Sequence, residues 1–223
     1  MAITKTIIQN SNSRTTIKLV ATAGADTSTL NLKAAVTLTS LTNLQFIVGS
    51  NGTATITRTG GSWATDMPTP VIPGTTTANA VQYYVDCTAT TGANAANKKV
   101  FSVIAVTAAT ITVAEDITVA ETVASTGTTS YKSDVGFVGQ GISGTPKVNI
   151  VSAKYSLGGS ATITRTTTVL NLFGTWLALN DGFGLAENNT VDITTLFNTA
   201  GGTVILELAK IDGFDRQIAY RDL

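Results

Sequence analysis

Apolar and polar residues alternate along most of this chain with a period of two, and almost nowhere with the 3.6-residue period of a helix. The pattern runs through Thr16–Val20, Leu30–Val36, Val100–Thr107, Ile111–Val123, Val148–Tyr155, Ala161–Thr168, Val169–Leu179 and Thr203–Ile211. Period two sends successive side chains to opposite faces of a strand, and strands at this spacing, bounded by Gly, Asn and Ser, predict a sandwich or barrel. Only Asp192–Asn198 could wind into a turn or two of helix, with Asp192 as N-cap.

The pentapeptide Ala-Thr-Ile-Thr-Arg occurs at Ala54–Arg58 and again at Ala161–Arg165. Each copy follows an apolar run and a glycine-bearing segment, Gly49–Gly52 in the first case and Leu157–Ser160 in the second. Both therefore predict a β-hairpin, because Asn-Gly and Gly-Gly supply the positive φ that a tight turn needs. A hexapeptide also repeats in tandem over Ile111–Thr122. Two copies are too few for a β-helix, so one long bent strand is expected there.

Composition narrows the function classes. Charged residues make up 13% of the 223 residues, with fourteen of each sign, about half the usual charged fraction. Such a balance offers nothing to nucleic acid or to a membrane surface. Roughly a fifth of the chain is threonine, which takes surface positions that Lys and Glu would ordinarily hold. A surface so poor in charge suits a subunit of an ordered assembly. Histidine is absent, which removes the commonest general base and zinc ligand. The single cysteine, Cys87, reads as a small buried hydrophobe. The N-terminus lacks a signal-peptide core, and no apolar stretch has the length of a membrane helix.

Candidate sites are few. Gly139–Gly144 spells G-x-G-x-x-G, but Pro146 and a further strand follow instead of a helix, so it reads as a flexible linker. Asp181–Gly184 reads as a turn, as do the glycosylation-type triplets at Asn51 and Asn188. Glu207, Asp212 and Asp215 lack calcium-ligand spacing and read as a solvated or intersubunit charge cluster. Glu115, Asp116 and Glu121 are expected to face mostly outward rather than to form a catalytic pair. Trp176 reads as core. Trp63, beside a Gly-Gly turn, with Tyr83 and Tyr84, is the candidate surface for interaction, since flat aromatic faces suit sugars or protein partners. No catalytic, cofactor or metal residue is assigned.

The two termini, Met1–Asn12 at the start and Val148–Tyr155 with Thr203–Phe214 downstream, resemble small virion structural proteins of marine tailed phages. In those proteins the two ends are nearly contiguous. The resemblance implies a β-sandwich, jelly-roll-like, formed by residues 1–40 and 146–223, with residues 41–145 inserted. The insertion resembles a small β-barrel module of phage structural proteins, carried here by Gly61–Trp63, Val85–Thr88, Val100–Val106 and Ala109–Val113. The Pro-rich Met67–Thr77 segment departs from that module. Together these imply a non-enzymatic capsid decoration, or cement, protein. Its partners would be the major capsid protein and other copies of itself, and it would be assembled into the virion in the host cytoplasm without cofactor. The alternatives are a tail or fibre component, or a carbohydrate-binding adhesin. The shared core is expected to join Ile7, Ile17, Leu19, Leu30 and Leu32 to Ile150, Leu170, Leu172, Ile205 and Leu208.

Overall fold

A computed structural model describes residues 3–22, 24–68, 81–165, 168–180, 190–198 and 200–215, except for the side chains at 168–169 and 175–180. The chain is all-β, of the sandwich and barrel class, and its strands form two antiparallel sheets in two compact units.

The first unit draws on both ends of the chain, up to Leu32 and from Ile142 to Phe214. Its strands are β1 (Thr4–Asn10), β2 (Arg14–Ala21), β3 (Asp26–Leu30), β12 (Ile142–Arg165), β13 (Thr168–Asn180), β14 (Ile193–Phe197) and β15 (Gly202–Phe214). They pair in the order β1-β2-β15-β12-β14-β3, with β13 on the other side of β12. The second unit, Lys33 to Gly141, holds β4 (Ala34–Ala35), β5 (Asn43–Ile47), β6 (Ala54–Thr59), α1 (Trp63–Asp66), β7 (Gln82–Asp86), β8 (Val100–Val106), β9 (Thr110–Val113), β10 (Glu121–Ala124) and β11 (Thr129–Ser133). Its order is β10-β5-β6-β9-β8-β7-β11-β4. The units divide at Leu32 and Gly141, not at the expected 40 and 145. Ala34 and Ala35 already pair with β11 of the second sheet, and Ile142 already pairs with Phe214 of the first.

The second sheet curls around one core. Phe46 on β5 and Phe101 on β8 lie three strands apart in the ladder, which would separate them by about 14 Å in a flat sheet. Their ring centroids are 5.9 Å apart. Leu44, Ile56, Trp63, Val85 and Ile111 complete the buried cluster.

The first pentapeptide does form its hairpin: β5 and β6 pair around Asn51-Gly52, both with positive φ. The second does not. Strand β12 runs through Leu157–Ser160 for 24 residues, about 80 Å if it were straight, so it bends instead. Between Ser156 and Ser160 it carries two more residues than β13 does between Thr175 and Phe173. Gly158 and Gly159 are not in the left-handed region there. Their missing side chains let Ala200 approach, since a Cβ at Gly158 would sit 3.1 Å from that of Ala200. Glycine here serves close backbone contact, not turn reversal.

Three further expectations are corrected. Ile111–Val123 is two strands, not one: β9 pairs with β6 and β10 with β5, on opposite sides of the β5–β6 hairpin. Ile193–Phe197 is a strand, and Asp192 accepts the Leu32 N–H at 2.8 Å rather than capping a helix. Of the expected shared core, Ile17, Leu19, Leu30, Leu32, Ile150, Leu172 and Leu208 are buried, while Ile7, Leu170 and Ile205 are half-buried. Ile205 fails by parity, because Val204, Leu206 and Leu208 take the inner face of β15.

Candidate functional site

The two pentapeptides share one geometry. In each copy Ala, Ile and Arg point inward and are buried, whereas both threonines point outward. Arg58 lies over the Trp63 ring at 4.7 Å, with its side chain wholly buried. It donates to Asp66 at 2.6 Å, to the Gly60 carbonyl at 2.7 Å and to the Thr39 carbonyl at 2.5 Å. Arg165 donates to the carbonyls of Val191 at 2.8 Å and Val148 at 2.7 Å. Neither arginine stood out as inward in the sequence, although each lies two positions beyond a core isoleucine and so shares its face.

The outward threonines extend into hydroxyl-rich faces. In the second unit Thr55 and Thr57 of β6 stand beside Thr110 and Thr112 of β9, with Thr57 and Thr110 hydroxyls 3.2 Å apart. Gln45, Ile47 and Thr122 continue that face. In the first unit Thr162 and Thr164 of β12 stand beside Thr194 and Leu196 of β14, which face Thr29 and Thr27 of β3. The Thr29 and Thr194 hydroxyls are 3.3 Å apart, and Thr162 donates to Asn171 at 3.1 Å. Phe173 (70% exposed) and Leu196 (45%) lie on this same face. Among the described residues, the second unit's face carries no charged side chain on β5, β6, β9 or β10, and the first unit's is uncharged over Ser160–Thr164 of β12 and over β14 and β3, with Lys154 exposed farther back along β12. A desolvated charge costs far more than a desolvated hydroxyl, so such faces can be covered cheaply.

The aromatic surface expected at Trp63, Tyr83 and Tyr84 is not present, because all three are buried. Trp63 fills the second unit's core beneath Arg58, and the Gly60-Gly61 turn leaves it covered rather than open. Tyr84 stacks on Tyr131 at 4.8 Å and donates to the Phe137 carbonyl at 3.3 Å. Burial holds its phenol well above the ordinary range. The side chain of Trp176, Asp181–Gly184, and residues 188–189 lie outside the described residues.

The three acids near the hexapeptide repeat diverge. Asp116 is exposed and accepts the Asn51 N–H, and Glu121 accepts the Asn94 N–H and the Asn97 amide. Glu115, expected to face outward, is buried and accepts from the Ser102 N–H at 2.6 Å and hydroxyl at 2.7 Å. The chain turns out of β9 just before it, which carries the carboxylate inward. Burial raises its pKa, outweighing those two hydrogen bonds. Asp66 goes the other way: burial pulls it up, but hydrogen bonds from Arg58 and Thr39 hold it below the usual range.

These opposite shifts have opposite pH signatures. Asp66 contributes stability above the ordinary carboxylate pKa and loses it as pH falls through its lowered folded value. Glu115 binds its proton more tightly folded than unfolded, so its contribution is present at low pH and is lost as pH rises from the unfolded towards the folded pKa. Wild type should therefore gain stability relative to Glu115→Gln when pH drops from about 7 to about 5. Urea midpoints of both proteins at the two pH values check this, and a constant difference would contradict it.

Gly139–Gly144 is no linker at its start. Gln140 is fully buried, its N–H bonds the Phe137 carbonyl, and the Gly139 N–H donates to the Ser102 hydroxyl at 2.8 Å. Glu207 pairs with Arg14 and accepts from Ser152, while Asp212 lies 3.4 Å from Lys147. Among the described residues, no three Cys, Asp or Glu side chains gather as a metal site. No protein family, curated protein or solved structure matches the chain.

Cys87 is fully buried, and burial pushes its thiol up to about 12. Thiolate is the reactive form. Native protein should therefore resist a thiol reagent at neutral pH and react with one equivalent once unfolded in guanidinium. Rapid native labelling, followed by absorbance, would contradict that.

Proposed function

We propose that this chain is a non-enzymatic structural subunit of a tailed-phage virion, acting as a decoration protein that stabilises the head. Its partners are the major capsid protein and further copies of itself. The observation that carries this reading is the pair of uncharged, hydroxyl-rich patches, one on a sheet face of each unit, with Phe173 and Leu196 exposed in the first. Interface cores are depleted of charge and enriched in aromatics, and a solvated surface gains nothing from omitting lysine and glutamate over patches that span several strands. The resemblance of the chain ends to virion proteins agrees with this chemistry. A cement subunit works mechanically, adding contact area between shell subunits so that the lattice resists internal pressure.

Particles made without the protein should assemble yet release DNA at lower temperature or under milder osmotic shock. Adding the purified protein back should restore resistance, while a Thr57→Lys, Leu196→Lys double variant should not. Unchanged release in a clean deletion would overturn the reading. The adhesin alternative depended on an open Trp63 and loses that support with its burial.

A further inference from the structure

At the tip of the β1–β2 hairpin, a half-buried lysine meets a side-chain amide. Asn10 ends β1, and the turn Ser11–Ser13 leads into β2. Strand β15 passes beyond the last β2 rung, where Ala209 faces Arg14, and the Lys210 N–H bonds the Ser13 carbonyl. Lys210 then reaches over the tip. Its Nζ donates to Asn10 Oδ1 at 2.8 Å and to the Ser11 carbonyl at 2.8 Å, with the Phe214 ring centroid 5.4 Å away. The buried Thr15 hydroxyl donates to the same Asn10 Oδ1 at 2.7 Å.

We propose that this is an autocatalytic modification site, at which Lys210 and Asn10 condense into an amide crosslink between β15 and β1. A C=O bond is about 1.23 Å long, so Asn10 Cγ lies no more than about 4 Å from Nζ. Burial lowers the Lys210 ammonium to about 6, which leaves the free amine in excess at neutral pH. In the step, the Nζ lone pair attacks Cγ and the Thr15 hydroxyl stabilises the developing oxyanion. The Cγ–Nδ2 bond then breaks, one Nζ proton passes to Nδ2, and ammonia leaves. No oxidant, metal or cofactor enters the balance. Amide aminolysis is slow between free molecules, and fixed proximity supplies effective molarities of about 10⁵–10⁸ M. The bond would tie residues 200 positions apart, anchoring the first strand to the last.

This inference goes beyond the virion role and does not depend on it. Its test is the intact mass of the full chain after prolonged incubation at about pH 8, above the lowered Lys210 value of about 6. Expected is a loss of about 17 Da, one ammonia, and a branched tryptic peptide joining the Asn10 and Lys210 segments. Lys210→Arg and Asn10→Ala should each restore the full mass, which can be read whether or not the variant folds. An unshifted wild-type mass overturns the proposal. So does a 17 Da loss that persists in Lys210→Arg, which would mark succinimide formation instead.

Discussion

Arg58→Ala is expected to lower the unfolding free energy of the second unit by about 3–5 kcal/mol, the usual cost of stripping one partner from a buried ion pair. Both side chains of the Arg58–Asp66 pair are almost fully removed from water. Truncating the arginine leaves the Asp66 carboxylate with the Thr39 N–H, strands the carbonyls of Thr39 and Gly60, and opens a void against Trp63. The largest of these costs is the uncompensated carboxylate. Removing it as well, in Arg58→Ala with Asp66→Ala, should therefore cost less than the sum of the single substitutions. Lysine should not rescue, because three separate acceptors are met by one planar fork. Arg165→Ala makes a useful contrast: it removes bonds to two backbone carbonyls, which points to a smaller loss of about 1.5–3 kcal/mol. Urea unfolding of the five variants, Asp66→Ala alone included, checks the ordering. A loss below about 1 kcal/mol for Arg58→Ala would mean that the pair is solvated in the native protein.

That contrast shows what was legible in the sequence. Period-two alternation identified the strands, and within each pentapeptide it also fixed the inward face, so the burial of Ala54, Ile56, Ala161 and Ile163 follows from residue type alone. The same parity placed the arginines inward, yet charge argues for the surface, and only the acceptors waiting there resolve the conflict. Apart from Gly60, those acceptors, Thr39, Val148 and Val191, lie 17 or more positions away and leave no local trace. Gly158-Gly159 failed for a related reason. A glycine pair is equally compatible with a reversal or with close approach, and the choice depends on Ala200, some forty positions away. Trp63 looked open beside its glycines because the curl of the second sheet, which covers it, is a property of eight strands together.

The split organisation makes the last expectation. With Lys33–Gly141 replaced by a flexible Gly/Ser linker, the remaining chain ends should still unfold cooperatively, because the seven strands of the first sheet pair only with one another. Changing the length of such a connection costs little, about 0.6 kcal/mol per doubling. Within that shortened protein, Leu208→Ala should lose about 2–5 kcal/mol, as a fully buried leucine leaves both its transfer energy and a cavity behind. Full-length Leu208→Ala should show the same loss in the transition of the first unit and none in that of the second, whose core is made of other residues. Circular dichroism and urea titration of the four proteins provide the comparison. A shortened protein that is soluble but melts without cooperativity would show that the first sheet needs the second unit to fold. Equal effects of Leu208→Ala on both transitions would make the two sheets a single thermodynamic unit, and the discontinuous architecture would then describe geometry without describing stability.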